Sequence, residues 1–138
     1  NVLGFVTKDR IEEALVEKVN QVEQRIHQLE KIALSLPYET RYVYRDDILY
    51  FQIENGIFVL LKDGTKLSLV NETLKEIETT LSDSFVRVNN NVLINFSKVD
   101  HLDVKNHKII MLDGTIISVS VRRWKKVKEH YIQMRTSI

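Results

Sequence analysis

Polar and apolar residues change their spacing twice along the chain. Val2–Val6 (VLGFV) is a short apolar run suited to a buried strand. In the next stretch, TKDRIEEALVEKVNQVEQRIHQLEKIALSL, apolar residues recur at Leu15, Val19, Val22, Ile26, Leu29, Ala33 and Leu36. Intervals of four and three alternate, which predicts a long N-terminal α-helix with a heptad seam. Asp9 and Glu12 provide a capping box at its start, and Pro37 is expected to end it. In that register Lys18 faces Glu23 and Arg25 faces Glu30, attractive pairs across a parallel two-stranded coiled coil. Two readings stay open: a homodimer through Leu15, Val19, Val22, Ile26 and Leu29, or an amphipathic helix packed on its own domain.

From Tyr38 the period falls to two. The alternation predicts strands at Glu39–Arg45, Ile48–Ile53, Ile57–Leu61 and Lys66–Val70, with Asn55-Gly56 and Asp63-Gly64 as hairpin turns. A short helix opened by Asn71 and Glu72 presents Leu74, Ile77 and Leu81 on one face. After FVRV and NNNVLINFSKV, strands are expected around Val99–Val104, Lys108–Leu112 and Thr115–Val121, and Asp113-Gly114 makes another tight turn. A last helix is expected from about Arg122 to Met134, its apolar stripe formed by Trp124, Val127, Tyr131 and Met134. The period predicts a mainly β, mostly antiparallel body with two short helices behind a long N-terminal one.

Net charge is +1 over 138 residues, but its distribution is uneven. From Phe85 onward ten Lys/Arg face four Asp/Glu, a net of +6; before it ten face fifteen, a net of −5. A basic half on an acidic half suits a polyanion-binding surface. The basic residues concentrate in SVSVRRWKKVKEH, Ser118–His130, where a strand pattern turns into a helix pattern. Cys is absent, which excludes disulfides and thiolate metal sites and suits a cytoplasmic protein. No apolar run approaches the roughly 20 residues that span a bilayer. The chain opens on Asn, as expected of a fragment or a processed form.

Catalytic chemistry finds little support. His27, His101, His107 and His130 are scattered, with no metal-ligand spacing. There is no Gly-rich phosphate loop and no GxSxG elbow. Asp46-Asp47 reads as a turn, since neighbours on a strand point to opposite faces. No enzyme activity and no cofactor are expected. Two stretches point instead to nucleic acid. FVRVNNNVLIN, Phe85–Asn95, sets three consecutive amides, Asn89–Asn91, among apolar residues; Asn is a turn former whose amide both donates and accepts, and it can bond an adenine edge. The alternative is that these Asn only cap a bend. Arg122 and Arg123 stand at the strand-to-helix junction, with Lys125, Lys126 and Lys128 behind them to track phosphates. RNA is less favoured, because Trp124 and Tyr131 read as core and no base-stacking aromatics are evident.

FVRVNNNVLIN, the following KVDHL and DGTIISVSVRRWKKV together resemble the LytTR-type DNA-binding domain, over Tyr38 to about Tyr131. RDDILYFQIENGIFVLLKDGTKLSLVNETLKEIETTL resembles its first strands and short helix. Asn89 stands for the family's usual His, Asn91 for Ser and Val92 for an aromatic. The resemblance implies a ten-stranded β fold that reads double-stranded DNA with loops in the major groove, commonly at tandem direct repeats in promoters. It implies base contacts from Asn90, in a Phe85–Asn95 loop, and from Arg122, with Asn55 a third, and phosphate contacts from Arg87, Asn91, Ser120, Lys125, Lys126, Thr73 and Lys75. NVLGFVTKDRIEEALVEKV resembles the final strand, Lys (here Lys8) and last helix of a receiver domain. Residues 1–36 are thus expected to be a receiver tail and dimerisation helix, and 37–138 the DNA-binding domain. That arrangement implies the output half of a two-component response regulator, with a sensor kinase as a further partner. Two alternatives are a stand-alone regulator controlled through its N-terminal helix and a self-associating module that does not bind DNA.

Overall fold

The computed structural model describes residues 29–136, and these form ten strands and two α-helices. β1 (Lys31–Ser35) and β2 (Thr40–Tyr44) make a hairpin. β3 (Ile48–Ile53), β4 (Ile57–Leu61), β5 (Lys66–Leu69), β6 (Phe85–Asn89) and β7 (Val92–Asn95) form a sheet of order β5-β4-β3-β7-β6. β8 (Val99–Asp103), β9 (Lys108–Met111) and β10 (Ile116–Ser118) form a three-stranded sheet of order β10-β9-β8. Every pairing is antiparallel. The helices are α1 (Leu74–Thr80) and α2 (Val121–Thr136).

The five-stranded sheet is covered on both faces, which explains the apolar run Ile48–Phe51 in β3. Alternate residues feed separate cores, except that the bulge between Ile48 and Tyr50 turns the neighbours Leu49 and Tyr50 to the same one. Leu49, Tyr50, Val86, Val88, Val92 and Ile94 join Ile109, Met111, Ile117, Trp124 and Val127 from the second sheet and α2. Ile48, Phe51, Phe85 and Leu93 point the other way, against Leu34 and Val43 of the hairpin and Leu74, Ile77 and Leu81 of α1. The buried polar Asn95 ties the layers together. Its Nδ2 donates to the carbonyls of Arg45 (3.2 Å) and Ile48 (2.9 Å), and its Oδ1 accepts from the backbone and hydroxyl of Ser97. Such full pairing is what permits an amide in a core.

Most of the expected strands are present within a residue or two, and β3 and β4 have the expected bounds. Two expectations need correction. The helix expected to reach Leu36 does not: Lys31–Ser35 is a strand, and Leu34 is 1% exposed in the core. KIALSL carries both periods, because Ile32, Leu34 and Leu36 also alternate; pairing with β2 selects the strand. Pro37 therefore sits in a hairpin turn closed by Leu36 N–H donating to Glu39 O at 2.8 Å, and β1–β2 crosses the boundary expected between residues 36 and 37. The stretch Phe85–Asn95 is not a loop but the β6–β7 hairpin. The apolar run Val2–Val6, Lys8, and the seam residues Leu15, Val19, Val22 and Ile26 lie outside the described residues.

Candidate nucleic-acid interface

Three bends meet at one end of the central sheet. The first is the β3–β4 turn, where Asn55 (φ +53°) and Gly56 (φ +101°) both take the left-handed backbone that Asn and Gly tolerate best. The second is the β6–β7 turn, Asn90-Asn91, next to a bulge between Arg87 and Asn89. Ile53 N–H donates to Asn91 O at 2.8 Å and joins these two. The third is the junction between β10 and α2. There Ser120 N–H donates to Val88 O (2.9 Å), so the junction runs along the open edge of β6. Asn90 and Arg122 consequently project from neighbouring bends, and both are exposed, as is Asn55.

Asn89 locks the arrangement. Its Oδ1 accepts from Asn91 N–H at 2.8 Å, and its Nδ2 donates to Ser118 O at 2.7 Å. One amide thus shapes its own turn and staples the second bend to the third. Sequence reading gave Asn89 no such role; the available signal was that an Asn two residues before an N–H can close an Asx turn. Behind the bends, His107 (φ +53°) stacks on Trp124 with ring centroids 4.6 Å apart, and its carbonyl accepts from Val119 N–H.

The charged residues divide into free and engaged. Arg122, Lys125 and Lys126 are exposed on α2, one helical turn apart, and Lys75 is exposed on α1. Arg87, by contrast, is an internal strut with its side chain 16% exposed. Its Nε donates to Asn89 O (3.2 Å), Nη2 to Asn90 O (2.7 Å), and Nη1 meets Glu78 Oε1 (3.3 Å). Thr73 is the N-cap of α1; its hydroxyl and N–H are both taken by Glu76 in a capping box. Ser120 Oγ is buried and has no partner among the described residues. Asn91 is exposed, and its backbone is bound on both sides.

Arg123, half-buried, adds charge that the expected set lacked. Burial lowers its pKa, the charges of Arg122 and Arg87 lower it further, and Glu78 opposes them. It stays protonated at neutral pH, so this end gathers the charges of Arg87, Arg122 and Arg123, of which Arg87 pairs with Glu78. An exposed pair of amides and an exposed Arg on such a base can hydrogen-bond base edges while the flanking ammonium groups hold phosphates. Among the described residues no three or more His, Asp or Glu gather to hold a metal, and no helix is long and apolar enough to cross a membrane.

Comparison with known proteins bears on the fold and the family. No curated protein sequence matches the chain. A solved structure is similar in fold: the LytTr DNA-binding domain of a Bacillus cereus protein described as a methyl-accepting/DNA response regulator. It is 17% identical, with a TM-score of 0.60, and the alignment covers 75% of this chain and 96% of that one. Residues 38–132 match the LytTr DNA-binding domain family, and the chain, with its three bends and basic helix, belongs to that family.

Proposed function

We propose that the protein is a sequence-specific regulator of transcription that reads promoter repeats in double-stranded DNA, from the major groove, with turns rather than an inserted helix. The convergence of Asn55, Asn90 and Arg122 at one end of the sheet carries this reading. In it Asn90 bonds an adenine edge, Arg122 forks onto a guanine, and Asn55 makes a third contact. Lys125, Lys126, Lys75 and Asn91 hold phosphates. The phosphate roles expected of Thr73 and Arg87 compete with the internal contacts just described, and that of Ser120 with the burial of its hydroxyl.

Selection of bound duplexes from a random pool, followed by titration of the winner in rising salt, tests the reading. A recurring repeat should emerge, and log Kd should change linearly with log salt; Lys125→Ala should lower that slope by about 1. Enrichment of no sequence would remove the specific-reader role.

The parent protein, on this proposal, is a two-component response regulator. Residues 1–19 resemble a receiver's end, and the heptad seam through Leu15, Val19, Val22, Ile26 and Leu29 makes a homodimer that a sensor kinase controls by phosphorylation in the cytoplasm. A longer chain that takes up phosphate on an Asp and then binds paired repeats more tightly supports this. Equal binding before and after phosphorylation counts against it.

A further inference from the structure

We infer that Arg87 is a positioning residue for base readout, acting through Asn90, and is not itself a phosphate contact. The inference rests on the base-reading role proposed for Asn90. The carbonyls that Arg87 grips belong to Asn89 and Asn90. They are the two peptide groups that flank the Asn90 Cα. Because peptide groups are planar, pinning both fixes the direction in which the Asn90 side chain leaves the backbone. A bidentate contact with a base edge needs placement within about 0.5 Å.

Two further contacts make the hold rigid. Glu78, one third exposed on α1, meets Arg87 Nη1 at 3.3 Å and so anchors the guanidinium from behind. From the opposite side Asn89 Oδ1 holds Asn91 N–H. The planar, forked donor set of arginine suits two carbonyls at once; an ammonium group cannot span them in the same way. β6 directs Arg87 to the same face as Phe85, beneath α1, and Val86 and Val88 to the other. The strand's alternation therefore delivers the guanidinium to Glu78.

The test measures binding of the wild type, Asn90→Ala, Arg87→Ala, Arg87→Lys and the Asn90→Ala/Arg87→Ala double variant. Each is titrated against the selected duplex and its single-base-pair variants, over a salt series. Asn90→Ala identifies the base pair whose preference is lost. Arg87→Ala should lose about tenfold discrimination at that same base pair, keep the wild-type salt slope, and add nothing in the Asn90→Ala background. Arg87→Lys should behave like Arg87→Ala, and it carries the test if the alanine variant fails to fold. A slope lower by about 1, uniform weakening on every duplex, and additivity with Asn90→Ala would instead make Arg87 a phosphate contact and overturn the inference. If Asn90→Ala flattens no base pair, the base-reading role of Asn90 fails, and exchange of the Asn91 amide hydrogen in the free protein decides for Arg87. Faster exchange in Arg87→Lys sustains its hold on the turn; unchanged exchange refutes it.

Discussion

The two ends of the central sheet use one local device to opposite effect. The β4–β5 turn at the far end and the β9–β10 turn of the second sheet share the triplet Asp-Gly-Thr. Asp63 Oδ1 accepts from Thr65 N–H at 2.9 Å, and Asp113 Oδ1 accepts from Thr115 N–H at 3.0 Å while its Oδ2 takes the Thr115 hydroxyl. Nearby, Asp46 and Asp47 pair with Lys62 and Lys98. The carboxylates there are consumed by their own turn or by a lysine. At the reading end the first Asn of the triplet is consumed in the same manner, and that leaves Asn90 exposed. A polar side chain serves recognition only when a neighbour has already satisfied the backbone of its turn.

Four changes would break or sharpen this contrast. The largest effect belongs to Trp124→Ala, which removes the ring that backs the reading end and should cost about 3–5 kcal/mol of stability in denaturant titration. Arg122→Ala should leave that stability unchanged, yet cost about 1–3 kcal/mol of binding and relax preference at one base pair. Asp113→Ala should do the reverse: about 0.5–1.5 kcal/mol of stability lost, with DNA affinity as in the wild type. Loss of affinity in that variant would dissolve the distinction between the two kinds of turn. The smallest effect is a pH dependence. Burial on α2 against Phe96, and then the charge of Lys126, hold the His130 pKa below its ordinary value. The unfolded chain then binds the extra proton first, so stability should fall as the pH drops below about 6.5. His130→Phe should flatten that part of a plot of thermal midpoint against pH.

Much of this architecture was legible in the residues. The short apolar runs in Ile48–Ile53 and Ile57–Leu61, and the Asn-Gly and Asp-Gly pairs, placed strands and turns closely, since both signals are local. KIALSL misled because two periods coincide there, and only a partner strand separates them. At the candidate site, Asn90 and Arg122 were visible as residue types at bends, and their adjacency follows from one hydrogen bond, Ser120 to Val88, across a wide gap in sequence. What could not be seen is which polar groups are spoken for. Glu78 is nine residues from Arg87 and lies on another element, so no spacing rule links them. Asn89 reaches Ser118 across 29 residues, which no local pattern reports.

The segment Ser118–Ser120 also closes the open side of β6, through Ser120 N–H on Val88 O and Asn89 on Ser118 O. During synthesis the five strands of the central sheet leave the ribosome well before that segment does. Until it arrives, one border of the sheet is bare and can recruit a strand from another molecule. A chain cut short before Val119 would thus lose more than its basic helix: it would be a seed for aggregation.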